Sequence, residues 1–493
     1  MRVGIDFGTT RTVVAVADRG NVPVVAFETA DGDVLDHFPS IVASDGEQLL
    51  FGHDALARLD TPGWTGLRSF KRLLARPDAA RRPLVTIGSL SIRLDTLMTR
   101  FLAALREALL TRSTNPVPVA DGEPIEAFVA VPARASSAQR LLTIEAFQAA
   151  GFTVLGLMNE PSAASVEYAH RYGRTLTSVR QQVLVYDLGG GTFDVSLVDL
   201  GDGEHVVRDN SGVNDLGGDD FDAILLDLAL ASAGPQQTDR TVLLDRCRLA
   251  KEALNPNSRR VTIDLDHETV SVTTADFYAA AKPLIERSIT TLGDVLAPAE
   301  GDEPFDTSRI AGIYVVGGGS DLPAVSRELK AVFGRRVRRS AYASGATAVG
   351  LALAASEQGP EIHERFSRTF GVFRELDSGA DVAFDAILTR DTPLMPEGGA
   401  WTRRYRPAHN IGHFRFAECD GIAGQTPTGD LTPTGELLFP FDPTLRDGPL
   451  DGVPIERADG MPLVEERYQV DDAGIVSVRI TDLDTGWSQE HRL

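Results

Sequence analysis

Two rhythms of apolar and polar residues divide this chain. Up to about residue 355, short apolar runs of strand length alternate with longer stretches whose apolar residues recur every three or four positions. Phe128-Val129-Ala130-Val131-Pro132 predicts a strand, followed by a helix with Ser136 and Ser137 as candidate N-caps, Leu141, Ile144, Phe147 and Ala150 on one face, and Gly151 at its end. The same plan returns later. Ile313-Tyr314-Val315-Val316 leads through Gly317-Gly318-Gly319 into a helix capped by Ser320, with Leu322, Val325, Leu329 and Val332 on one face and Gly334 as its stop. Beyond about residue 356 the alternation is by twos, as in Val382/Phe384/Ala386/Leu388 and Val476/Val478/Ile480, with Asp472-Ala473-Gly474 and Asp484-Thr485-Gly486 as hairpin turns. The pattern predicts an α/β domain over 1–355, a linker over 356–366 that begins around Glu357-Gln358-Gly359-Pro360, and an all-β sandwich over 367–493.

The strongest chemical signal is a repeated hairpin. Val3-Gly4-Ile5-Asp6-Phe7-Gly8-Thr9-Thr10 runs on through Val13 to Val16, and Val185-Tyr186-Asp187-Leu188-Gly189-Gly190-Gly191-Thr192 runs on through Val195 to Val198. Each is an apolar strand ending in Asp, a Gly/Thr turn and a second apolar strand. Glycines permit positive φ and close backbone approach, their amides suit an anion, and threonine hydroxyls add donors, so such a turn can hold a phosphate. The carboxylate repels phosphate but can hold Mg²⁺ through water. Two such turns facing each other predict a clamp on a polyphosphate. A hairpin and a later strand-to-helix unit in each half predict two duplicated α/β lobes with a cleft between them.

Composition narrows the partners. A formal net charge of −22 and a pI near 4.8 argue against a nucleic acid or an anionic membrane. Cys247 and Cys419 are the only cysteines, which gives no disulfide framework and fits a reducing, cytoplasmic setting. No signal-like stretch precedes Asp6, and no apolar run approaches the roughly 18 residues of a membrane span. Of 48 basic residues only Lys71, Lys251, Lys282 and Lys330 are lysines, so a retained Lys marks a place where a compact ammonium serves better than a guanidinium. His409 and His413 have a four-residue spacing, but Asn410-Ile411-Gly412 between them reads as loop or strand, against a metal site.

In combination, Asp6 to Thr10, Phe70-Lys71-Arg72-Leu73, Val131-Pro132-Ala133, Asn159-Glu160-Pro161-Ser162-Ala163-Ala164, Asp187 to Asp194, and Leu216-Gly217-Gly218-Asp219-Asp220-Phe221-Asp222 resemble the 70-kDa heat-shock chaperone family. The resemblance covers nearly the whole chain. It implies a duplicated, ribonuclease-H-like actin-like ATPase domain followed by a peptide-binding β-sandwich, here without a C-terminal helical lid. It implies ATP/ADP and Mg²⁺ as cofactors, the metal organised through water by Asp6 and Asp187. Gly8, Thr9, Thr10, Gly189, Gly190 and Gly191 would cradle phosphates; Gly217, Gly218, Lys251, Asn255, Gly317 and Gly318 would complete the nucleotide site. Lys71 and Glu160, with Asp6, Asp187 and Thr192, would be the catalytic set. Val372, Tyr405 and Phe414 fall near peptide-pocket positions and fit the sandwich core equally well; the resemblance implies extended polypeptides or a dedicated protein client as partner.

The departures from that family also carry expectations. Glu252 and Asp321 stand where arginines sandwich adenine, so stacking there is expected to be lost. Ser344 replaces an aspartate, Gly156 replaces an arginine that docks the J-domain co-chaperone and leaves that partner open, and Pro360 to Arg365 replace a leucine-rich acidic linker. Three functions fit: an ATP-dependent chaperone-like ATPase, which ranks first; a nucleotide-gated interaction protein with one dedicated partner and vestigial hydrolysis; and a small-molecule kinase, which would need an Asp base in the cleft and has no use for the β-domain.

Overall fold

The computed structural model describes every residue except 116, 118, 120–121, 202–203, 234–237, 266–267, 297–306, 357–358, 377–380, 391 and 395–398. Glu357 and Gln358 of the expected linker therefore lie outside the described residues. Contacts gather the chain into two compact units, one of residues 1–74, 83–134 and 145–362, the other of 75–82, 135–144 and 363–493.

The first unit holds two large mixed sheets of the same plan. In one, β1 (Arg2–Phe7) pairs antiparallel with β2 (Arg11–Val16), and β2 with β3 (Phe38–Pro39). On its other side β1 pairs parallel with β4 (Ile125–Val131), and β4 with β5 (Phe152–Asn159). In the other, β6 (Gln182–Leu188) pairs antiparallel with β7 (Phe193–Asp199), and β7 with β8 (Glu204–Val213). There β6 pairs parallel with β9 (Ile310–Val316), and β9 with β10 (Val337–Arg339). Parallel neighbours need a crossover, and each pair has a helix in the connection: α1 (Ser137–Ala149) between β4 and β5, and a helix over Pro323–Phe333 between β9 and β10. Strands β6 and β7 are buried at every position, which is why their sequences are mostly apolar, with Asp187 and Asp194 set among the apolar residues.

The caps differ from expectation in one copy. Ser136 Oγ accepts from Gln139 N at 3.2 Å, as an N-cap should. Ser320 does not cap its helix; its hydroxyl donates to Gly317 O at 2.6 Å inside a 3₁₀ turn, and Pro323 opens the helix, where its fixed φ is already helical. Gly334 stops that helix with φ 63, Leu322, Val325 and Leu329 are buried, and Val332 points to solvent at 59% exposure.

The second unit is built on two four-stranded antiparallel sheets. One runs Asp381–Leu388, Thr369–Leu376, Ile411–Ala423, Thr426–Pro440; the other Ala400–Tyr405, Val464–Val470, Val476–Asp482, Ser488–Arg492. Phe370, Phe416 and Phe439 from the first meet Val464, Tyr468, Val478 and Ile480 from the second in one core, so alternate residues of each strand face inward. A polar network is sealed within it. Arg374 grips the fully buried Glu466 with both Nη atoms (3.0 and 2.7 Å), and the Tyr405 and Tyr468 hydroxyls donate to the same carboxylate. Within this unit the buried Glu418 accepts from Ser137 N at 2.9 Å, where a negative charge suits the start of α1.

Candidate active site

Both hairpins deliver their turns to one cleft of the first unit, an open space of about 750 Å³ lined among others by Asp6, Gly8, Thr9, Thr10, Lys71, Glu160, Asp187, Gly189, Gly190 and Thr192. The turns press against each other. A Cβ built on Gly190 would lie 2.4 Å from Thr10 Oγ1, and one on Gly191 2.5 Å from Thr9 Cγ2, so side chains there would push the two halves of the clamp apart. Gly8, Gly189, Gly190 and Gly191 do not adopt positive φ, so close approach, not left-handed backbone, is what demands glycine at the two tightest positions. Gly317 needs both: its φ is 82, and a Cβ would meet Asp187 Oδ1 at 2.4 Å.

Lys71 and Glu160 meet on the cleft floor. Lys71 comes from a 3₁₀ turn over Phe70–Ala75, Glu160 from the first turn of α2 (Glu160–Tyr172), where Pro161 fixes the start of the helix and the dipole favours a carboxylate. Lys71 Nζ donates to Glu160 Oε1 at 2.8 Å and sits 5.6 Å from the Phe7 ring centroid. Both side chains are buried.

Among the described residues, four carboxylates share this floor with that single ammonium. Burial and then the Glu160 charge push Asp6 up to about 7. Burial and then Glu160 do the same to Asp194, against hydrogen bonds from Ala133 N (3.1 Å) and Thr192. Asp187 is raised by burial, Glu160 and Asp6 in turn. Burial alone would depress Lys71, but Glu160 and Asp6 outweigh it and hold the ammonium charged. Asp194 Oδ2 is buried without a hydrogen-bond partner. Hard anionic oxygens in excess of their counter-charge suit a divalent cation such as Mg²⁺. Among the described residues no three His, Cys, Asp or Glu side chains converge to grip a metal directly.

These shifts fix a sign. A carboxyl at about 7 when folded and near 3.8 when unfolded binds its proton more tightly in the folded state, so its contribution is most favourable at acid pH and is lost as pH rises through 7. In chelator, the melting temperature should therefore fall between pH 5 and 8 more steeply for the parent chain than for Asp194→Asn. Millimolar Mg²⁺ should close that gap, and equal slopes in chelator would contradict the charge excess.

The remaining sequence-derived residues divide. Gly218, Lys251, Gly317 and Gly318 line the cleft. Lys251 Nζ donates to Gly218 O at 2.7 Å and pairs with Asp222 at 2.7 Å, which ties α4 (Arg240–Glu252) to the first turn of α3 (Gly218–Ala233), beside the second hairpin turn. Gly217 stands behind the lining, where a Cβ would meet Gly190 O at 2.5 Å. Asn255 is exposed and outside the cleft lining; its side chain accepts from Asn257 N at 3.0 Å in a local turn. Val372 and Phe414 are core residues of the second unit, at 1% and 5% exposure, and the half-buried Tyr405 packs against that core.

The family described as Hsp70 protein matches residues 102–365, more than half of the chain. The chain belongs to the Hsp70 family. A chaperone protein HscA homolog from Burkholderia multivorans (strain ATCC 17616 / 249) is 32% identical over 354 residues, which are 68% of this chain and 55% of that protein. The aligned part thus spans about half the length of that relative.

Sequence reasoning missed three site residues of this Hsp70-family chain. Asp194, opposite Asp187 across the β6–β7 pair, was signalled by an acid set inside an apolar run. Arg11 and Arg248 also line the cleft, but as two among 44 arginines they carried no signal. They matter because Glu252 pairs with both, and Asp321 pairs with Arg339. The two acidic departures therefore come with guanidinium groups, Arg248 from the same helix as Glu252 and Arg11 and Arg339 from strands.

Proposed function

We propose that this chain is a nucleotide-driven, chaperone-like ATPase of the Hsp70 family, in which the first unit is a duplicated actin-like domain that hydrolyses MgATP and the β-unit binds extended polypeptide. The observation that carries the reading is the opposed pair of Gly/Thr turns with the Lys71–Glu160 pair on the floor between them. In this reading the turns hold the phosphates through backbone amides and the Thr9, Thr10 and Thr192 hydroxyls, with Gly217 and Gly218 supporting them. Asp6 and Asp187 would hold Mg²⁺ through water, and the ion would supply charge neutralisation for phosphoryl transfer. Lys71 directs its ammonium toward the terminal phosphate and the attacking water, and Glu160 fixes that ammonium and can accept from the water. No membrane role is assigned; among the described residues no helix is long and apolar enough to cross one.

A second reading has an observation in its favour. Val372 and Phe414, expected at a peptide pocket, are spent on the core of the β-unit, which favours recognition of one dedicated partner over general capture of unfolded chains. Binding of a fluorescent hydrophobic peptide, measured by anisotropy with ATP, with ADP and without nucleotide, tests the choice. A chaperone should bind with an affinity that changes at least about fivefold between ATP and ADP, the lower end of a typical coupling. No binding of any unfolded sequence, with ATP turnover intact, would leave the dedicated-partner reading.

A further inference from the structure

We propose that the second unit carries a docking groove for an acidic, extended polypeptide, on the outer face of its first sheet and apart from the core that holds Val372 and Phe414. The inference rests on the reading in which this unit binds polypeptide, and gives that binding a surface and a charge. The open groove measures about 1460 Å³, and every residue that lines it belongs to the second unit. Strand alternation sets its floor. Phe414, Phe416 and Leu437 point into the sandwich core, so their neighbours His413, Arg415, Glu436 and Leu438 point away from it and line the groove. The segment 449–455 forms one wall. Main-chain pairing just beyond it holds that wall in place: Asn410 N donates to Glu456 O at 3.0 Å and Ala458 N to Ala408 O at 3.0 Å. The Asn410 side chain adds bonds from Glu456 N at 2.8 Å and to Pro454 O at 3.1 Å. The groove is therefore built before a partner arrives, which lowers the cost of binding.

Its charge runs against that of the whole chain. The ionisable side chains lining it are the arginines 81, 82, 415 and 492, the histidines 413 and 491, and the carboxylates Glu436 and Asp451. Four guanidiniums against two carboxylates make a local inversion in a chain of net charge −22. Arg81 meets Glu436 at 3.3 Å with its side chain 79% exposed, a weak pair that a partner's carboxylate can replace. Val382, Leu431 and Ile455 open 51%, 40% and 46% of their surface to the same concavity. Aliphatic groups gathered in a groove and ringed by charge mark a surface that a partner covers. They suit leucine-like side chains better than stacked bases, which favours a polypeptide over a nucleic acid. Pro433 sits in the edge strand Thr426–Pro440 and lines the groove, where it has no amide to donate. The partner is thus held by its side chains and not as an added strand.

The test is fluorescence anisotropy on the full chain with a labelled peptide of Glu, Leu and Ser, its counterpart with Lys in place of Glu, and a labelled oligothymidylate. The acidic peptide should bind about tenfold more tightly than the basic one, against the net charge of the chain, and lose affinity as salt rises. Arg81→Glu combined with Arg415→Glu should weaken it about tenfold, as two attractions become repulsions. Ile455→Ser should weaken it about threefold through lost apolar contact. All three side chains are exposed, so folding should survive each change. Arg335→Glu combined with Arg336→Glu, exposed in the first unit, makes the same change in net charge and should leave binding unaltered. Equal affinity for the two peptides, or an equal loss in that control, would overturn the groove. Oligothymidylate that binds as tightly as the acidic peptide, and is lost in the same variants, would overturn the polypeptide assignment. Failure to bind the acidic peptide while an uncharged hydrophobic peptide still binds would overturn the groove alone. A parent that binds no peptide would overturn the polypeptide reading with it.

Discussion

Lys71→Ala should lower single-turnover hydrolysis of bound ATP by about 10²- to 10³-fold, the usual cost of removing one preorganised charge from a transition state. Nucleotide should still bind, because the backbone amides and hydroxyls of the opposed turns are independent of that side chain. The physical argument is the charge count on the cleft floor, where one ammonium faces Asp6, Glu160, Asp187 and Asp194. Without it Glu160 loses its partner at 2.8 Å in a buried setting, and a bound Mg²⁺ would be left to offset charge developing on a phosphate without that ammonium. Lys71→Arg should not rescue, since a guanidinium fork does not fit a position only 6% exposed and packed on Phe7. Quench-flow with radiolabelled ATP, alongside equilibrium binding, separates the outcomes. Full turnover in Lys71→Ala would remove Lys71 from the catalytic set and favour a structural ion pair.

The second large effect belongs to the β-unit. Arg374→Ala should destabilise the unit by about 3 kcal/mol, because it leaves the Glu466 charge buried and unpaired. Glu466 is fully buried, with Arg374 on both oxygens and two tyrosine hydroxyls donating to it. The lower end of the usual range applies, since Arg374 keeps 25% exposure and water can reach the vacated site. Asp385, which Arg374 also bonds at 2.7 Å, retains Arg403 at 2.9 Å and should lose little. In chemical denaturation, Arg374→Met combined with Glu466→Leu should be less unstable than the sum of the two single changes, because the double variant buries no lone charge. Strict additivity would show that the pair is energetically independent and that the loss is one of packing.

Much of the site was legible because its chemistry is local in sequence. The spacing of Asp6, Gly8, Thr9 and Thr10, and of Asp187 to Thr192, specifies turns whose backbone can face an anion whatever surrounds them. Lys71 stood out by its rarity, and the alternation of Val476/Val478/Ile480 gave an inward face that the core of the β-unit uses. Other expectations failed where a neighbour distant in sequence decides. Glycines were expected for positive φ and for close backbone approach; Gly190 and Gly191 serve only the second, against the opposing Thr10 and Thr9, which the sequence does not name. Ser320 was expected to cap, but Gly317 O claims its hydroxyl and Pro323 starts the helix. Arg248 is four positions before Glu252 and assignable by helical spacing, but Arg11 and Arg339, 241 and 18 positions from Glu252 and Asp321, cannot be assigned to them that way.

By itself the sequence determined most of the elements, the two Gly/Thr turns and the residue types of the cleft floor, since propensity, period and turn chemistry act over a few residues. Only the tertiary structure decided how tightly the turns oppose each other, which carboxylates crowd one lysine, and that segments 75–82 and 135–144 group with the C-terminal strands. It also decided that Arg11 reaches Glu252. Burial and Coulomb energies depend on distances between atoms far apart along the chain, and those distances exist only once the chain has folded.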